Sequence, residues 1–174
     1  MNHLHRLLVV AGVLAALTAC VSAPPAPPPT PVDPTTPAQR LALIEREAGV
    51  DDTELSVQPL RDPQVDDLRE TAKAKRQAGD LAAAAAALDQ ALGLVSGDPA
   101  ILQERAEVAV LQGDWPAAER FANQAVELGS KTGPLCRRHW ATIEQSRLAR
   151  GEKENAASAK SQIAGCTVPG VKRY

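Results

Sequence analysis

Aromatic side chains are almost missing from this chain. Among 174 residues there are Trp115, Trp140, Phe121 and Tyr174, and no others. Long β-branched runs are scarce as well. A core made with so few large residues has to come from alanine and leucine at close helix contacts, which predicts an all-α class. A basic excess is also absent: 19 Lys and Arg stand against 21 Asp and Glu, a formal net charge of −2. That balance argues against nucleic acid as a partner. Histidine is nearly absent beyond the first turn of sequence, where His3 and His5 leave only His139. No Gly-x-Ser-x-Gly, His-Glu-x-x-His or phosphate-cradling glycine loop occurs, so no enzymatic role is expected. No ligand-spaced cluster predicts a metal, and no Cys-x-x-Cys predicts redox chemistry.

What is present begins at the N-terminus. Arg6 gives the start a positive charge, and Leu7 to Leu17 is an almost unbroken apolar run of 11 residues. Spanning a hydrocarbon core takes roughly 20. A basic start, a short apolar stretch and small residues after it describe a secretory signal peptide over 1–19. The small residues lead straight into a thiol: Leu17-Thr18-Ala19-Cys20 resembles the bacterial lipobox. The resemblance implies cleavage before Cys20, a diacylglyceryl thioether on its sulfur and an acyl chain on its new amine. Three chains anchor far more firmly than one. Val21 and Ser22 follow, and the lack of Asp there implies an outer-membrane address facing the periplasm. The rival reading is a plain cleaved signal with a chance cysteine.

Residues 20–37 then read as a tether. Proline stands at 24, 25, 27, 28, 29, 31, 34 and 37. At that density neither a helix nor a sheet ladder forms, and extended polyproline II is favoured. At about 3.1 Å per residue, residues 24–37 would reach roughly 40 Å. A stalk is the expected use, with a ligand for a proline-recognition domain as the alternative.

The remainder carries an internal period. Gly79-Asp80-Leu81 recurs 34 positions on as Gly113-Asp114-Trp115. Leu81-Ala82-Ala83-Ala84 aligns with Trp115-Pro116-Ala117-Ala118, and Asp89-Gln90-Ala91-Leu92 with Asn123-Gln124-Ala125-Val126. Gly79 and Gly113 suit helix C-terminal caps, and Asp80 and Asp114 suit the next N-caps. Ala84, Ala118, Ala91 and Ala125 are small where two helices must approach closely. A period of 34 with Gly-Asp at the turn resembles the tetratricopeptide repeat, a helix–turn–helix unit. The register predicts helix pairs at 65–78 with 81–95, 99–112 with 115–129 and 135–150 with 153–165. The third copy holds a four-residue insertion near Gly129 to Pro134. A generic alanine-rich bundle is the competing fold.

The repeat domain is thus expected over 65–166, a helix and linker over 38–64 and a tail over 167–174. Leu41, Ile44 and Ala48 share one helical face, with Thr36 as cap and Pro37 at the first position. Terminal repeats need a cover, so this helix is expected to cap the first repeat. Asp51 to Asp62 reads as loop, with Pro59 and Pro63 as breakers.

With Cys20 acylated, Cys136 and Cys166 form an even pair in an oxidising compartment. The repeat register puts Cys136 at the start of the third hairpin and Cys166 just past its end, with Gly165 letting the chain turn inward. A disulfide there would close a loop of about 30 residues and staple the last repeat. Two free buried thiols are the alternative.

In tetratricopeptide arrays the first helix of each pair lines a concave groove, and the resemblance implies that binding happens there. The register assigns Arg69, Lys73 and Arg76 to that face in the first repeat. Gln103, Glu107 and Val110 follow in the second, with Arg138, Ala141 and Gln145 in the third. Arg69, Lys73 and Arg76 suit an acidic segment or a C-terminal carboxylate; a solvated basic helix face is the plainer reading. Trp115 and Trp140 are expected in the core. The function expected is that of an outer-membrane lipoprotein holding a periplasmic adaptor for envelope proteins, in envelope, pilus or secretion assembly. The alternative is a structural lipoprotein that associates with itself. No cofactor is expected beyond the covalent lipid at Cys20.

Overall fold

A computed structural model describes residues 33–49 and 62–167. Within them the elements are α1 (Pro37–Ala48), α2 (Pro63–Gln77), α3 (Leu81–Leu94), α4 (Pro99–Gln112), α5 (Trp115–Leu128), α6 (Pro134–Ala149) and α7 (Lys153–Gly165), with no strand among the described residues. Cys20, the signal sequence, most of the proline stretch and the 51–61 loop lie outside them.

Local chemistry fixes where each helix starts. Thr36, Asp62, Asp80, Asp98 and Asp114 each accept a hydrogen bond from a backbone N–H of the first turn. Those N–H groups have no partner inside the helix, so the caps satisfy them. Proline occupies the first turn of α1, α2, α4, α5 and α6, where its missing N–H removes nothing. Pro63 therefore opens α2 instead of breaking the chain, because Asp62 stands just before it as a cap. The expected start at 65 moves back accordingly.

The three hairpin turns share one geometry. The N–H of Asp80 donates to Lys75 O at 2.9 Å, that of Asp114 to Ala109 O at 2.9 Å and that of Glu152 to Arg147 O at 3.0 Å. Each bond spans the glycine before it, in the Schellman pattern. Gly113 sits at φ +72°, a conformation that costs a residue with a Cβ roughly 1–2 kcal/mol. Gly113→Ala should lower unfolding stability by that amount, read as a shift in urea midpoint. No loss would mean that the turn tolerates a Cβ.

Helices α2 and α3, α4 and α5, and α6 and α7 pack as antiparallel hairpins, and α3 on α4 and α5 on α6 join them in order. Ala84, Ala91, Ala118 and Ala125 are fully buried at these contacts. Small side chains let the helix backbones approach, which is how a core with so few aromatics closes. Val65, Leu88, Ile101 and Val108 fill the first hairpin's junction with α4, and Ile143 packs with Ala106, Ala122 and Ala159 where the second and third hairpins meet. Trp115, Trp140 and Phe121 lie partly buried against the central cluster. The architecture is all-α, in tetratricopeptide-like hairpins.

Two details depart from expectation. Helix α1 does not cover the first repeat: it packs on α6 and α4, the first helices of the third and second hairpins. Its buried stripe, Arg40, Ile44 and Ala48, meets a seat that the first hairpin does not offer. Gly165, in turn, stays helical, and the chain turns at Cys166 with ordinary right-handed torsions of φ −76° and ψ −9°. Cys136 and Cys166 are joined by a disulfide, with Cα atoms 5.7 Å apart. The N–H of Gly133 donates to Cys166 O at 2.8 Å beside it.

Candidate protein-binding cleft

The inner helices are not evenly spaced. The backbones of α4 and α6 pack closely, whereas those of α2 and α4 stand further apart and meet through side chains. The sequence of α2 explains the gap. It buries only Val65 and Ala72 and faces α4 with long charged side chains. The gap is a cleft of about 440 Å³ whose walls include Arg69, Lys73, Arg76, Glu104, Glu107 and Arg138.

Ion pairs cross it. Arg69 forks onto Glu104, Nη2 to Oε1 at 2.5 Å and Nε to Oε2 at 3.1 Å. Lys73 is the most exposed cation, reaching Glu70 at only 3.5 Å. Deeper in, Arg76 Nη1 donates to Glu107 Oε2 at 3.3 Å and Arg138 Nη2 to the same oxygen at 2.8 Å. Glu107 is completely buried, whereas the Arg76 and Arg138 side chains keep 30% and 32% of their exposure. Two guanidiniums thus share one carboxylate deep in the cleft, although over the whole lining Arg69, Lys73, Arg76 and Arg138 are matched by Asp66, Glu70, Glu104 and Glu107. Burial pushes the Glu107 carboxyl above the usual range, against the pull of Arg138, Gln103 and Arg76.

Behind Glu107 runs a buried polar chain. Gln103 Nε2 donates to Glu107 Oε1 at 2.9 Å and to Thr142 Oγ1 at 2.8 Å. Those bonds orient the amide, so Gln103 Oε1 faces His139 Nδ1 at 2.7 Å and must accept from it. His139 therefore carries its hydrogen on Nδ1. Its Nε2 is buried with no hydrogen-bond partner among the described residues. Burial first, then the charges of Arg138 and Lys131, lower its pKa from 6.5 to about 4.

The residues assigned to the groove from sequence fall into two groups. Arg69, Lys73, Arg76 and Glu107 surround one cleft, and Arg138 joins them from α6. Gln103 and Gln145 do not line an open surface. Gln103 is 1% exposed and committed to the chain behind Glu107, while Gln145 is 7% exposed and lies under Arg40. The register placed both on the correct side of their helices, but not the neighbours that cover them. Glu104, which the register did not assign to the groove, is the main partner of Arg69; its signal was the three-residue offset from Glu107. A second depression, about 500 Å³ on the outer side of α5, is bordered by Glu119, Arg120 and Arg150, among others. There Glu119 is already held by Arg147 at 2.7 Å and by Arg150. No group of three or more potential ligands that could hold a metal ion exists among the described residues.

A family model described as tetratricopeptide repeat matches residues 75–135, from the last turn of α2 to the first of α6. No curated protein and no solved structure matches the chain. Tetratricopeptide repeats generally mediate binding to other proteins.

Proposed function

We propose that this chain is a bacterial outer-membrane lipoprotein whose repeat domain is a protein-binding adaptor in the periplasm. Cys20 carries the lipid, the proline stretch acts as the stalk, and the cleft between α2 and α4 receives an acidic segment of an envelope protein. The observation that carries the binding half is the shared carboxylate: Arg76 and Arg138 both rely on Glu107, so an incoming carboxylate can complete their pairing. The anchoring half rests on Leu17-Thr18-Ala19-Cys20. The Cys136–Cys166 disulfide supports an oxidising compartment. Assembly of the envelope, of pili or of a secretion system is the kind of process such an adaptor serves.

The self-associating alternative draws on Leu94 and Leu128, exposed by 51% and 60% at equivalent helix ends. Two separated leucines make a small apolar surface, and a concentration-independent monomer mass would remove this reading.

Cys20→Ser should abolish palmitate labelling and move the protein from the membrane to the soluble fraction. Retention in the membrane would defeat the anchoring claim. A photocrosslinker at Lys73 should capture a partner, and pairing Arg76→Ala with Arg138→Ala should cut that yield at least tenfold at unchanged helicity. An unchanged yield would defeat the cleft.

A further inference from the structure

Helix α1 occupies the other half of the inner face, where α4 and α6 pack together. It runs antiparallel to α6, and each end is held by an arginine on a main-chain carbonyl. Arg40, 1% exposed, donates from Nη1 to Gln145 O at 3.2 Å and to Gln145 Oε1 at 3.1 Å. At the other end Arg137 Nε donates to Ala48 O at 3.0 Å, one of the last carbonyls of α1. Between them Ile44, completely buried, sits with Ala109, Val110 and Ala141. Ala48 closes the stripe one turn further on. The Arg40 guanidinium also stands over the Trp115 ring, 5.6 Å from its centroid.

One feature marks α1 as an occupant of a site and not a layer of the array: it docks out of chain order, passing over the first hairpin, its nearest neighbour in sequence, to reach the second and third. At 12 residues it is, like the 13- and 14-residue helices of the hairpins, too short to hold helical form alone, so the seat supplies its order. We propose that the α4–α6 face is a helix-binding site filled in cis by α1. The partner that fits it in trans is an amphipathic helix with a basic residue at i, a β-branched aliphatic at i+4 and a small residue at i+8. Ala109 and Ala141 leave room for the branched side chain. Arg137 reads a helix C-terminus, which such a partner supplies through its own backbone. The site stands apart from the acidic-segment reading of the cleft, and either can fail alone.

A covalently attached competitor acts at an effective concentration on the order of millimolar, so the intact chain should turn away a helix supplied at micromolar concentration. The probe is a fluorescent peptide of residues 33–49. In the full chain, Ile44→Asp or Arg40→Glu should expel α1, and peptide affinity should rise at least tenfold over wild type. A peptide carrying Ile44→Asp should not bind. Equal weak binding by wild type and both variants would overturn the proposal, as would equal binding of both peptides. Loss of most helical signal in both variants would also overturn it, since α1 would then be an integral layer. So would a wild-type dimer that Ile44→Asp converts to monomer, which would give the seat to a second copy's α1.

Discussion

Lowering the pH from 7 to 5 should cost this domain about 2 kcal/mol of unfolding free energy through His139 alone, reaching about 3 kcal/mol by pH 4. His139 is fully buried, and its pKa lies at about 4 in the folded chain against 6.5 for the free side chain. Above pH 6.5 the ring is neutral in both states and the contribution is complete. As pH falls through 6.5 the unfolded chain takes up a proton that the folded chain refuses until about 4, so stability drains away across that window. The refusal has a structural cause. Nδ1–H is committed to Gln103 Oε1, and Nε2 faces a buried space with no acceptor for a second hydrogen. Arg138 and Lys131 oppose a further positive charge.

His139→Asn tests this, because its amide nitrogen takes the place of Nδ1 and does not titrate. The variant should be less stable at pH 7, having lost ring packing, yet should lack the histidine's loss of about 2 kcal/mol between pH 7 and 5. Carboxylates contribute with mixed sign: Asp33 is held below its usual range mainly by bonds with Thr35 and Arg40, while burial raises Glu107 and Glu144. Both proteins keep these carboxylates, and the variant's amide keeps the bond to Gln103 that leads to Glu107, so the difference between the two urea midpoints reads mainly the histidine. Parallel pH profiles would rule it out.

Much of the fold was legible because its signals are local. Gly113 and Asp114 specify a turn within a few residues, and the same geometry recurs at Gly79-Asp80 and Gly151-Glu152. Pro63 was ambiguous, since proline marks both helix starts and breaks; only the cap at Asp62 decides between them. The seat of α1 was not legible. Leu41, Ile44 and Ala48 announce a helix with one apolar face, but that stripe fits several partners. The choice is made by Arg40 with Gln145 and by Arg137 with Ala48, pairs far apart in sequence. The cleft fell between these cases. Periodicity put Arg69, Arg76 and Glu107 on one side of the array, while the convergence of Arg76 and Arg138 on a single carboxylate depends on how hairpins stack.

Removing the disulfide should have the largest effect of all. The Cys136–Cys166 bond closes a loop with a sequence separation of 30. In the chain-entropy model such a loop is worth about 3.5–4 kcal/mol. Helix α7 has little else to replace it, whereas α6 is also held by α1, α4 and α5. Neither Gly133 before α6 nor Glu152 before α7 supplies a side-chain cap, unlike Asp80, Asp98 and Asp114 in the earlier repeats. Within α7 only Ala156, Ala159 and Ile163 are buried. Pairing Cys136→Ala with Cys166→Ala should therefore lower the urea-derived stability by that amount, and a thiol reductant should bring the native chain to a similar value. The loss should also be uneven. Cys136 is followed at once by Arg137, Arg138 and His139, which hold α1, Glu107 and Gln103. Amide exchange should quicken first in α7 and the first turn of α6, then in α1, while α2 and α3 keep their protection. Uniform quickening across all hairpins would show that the bond stabilises the array as a whole. Unchanged stability would show that the third hairpin's packing suffices without it.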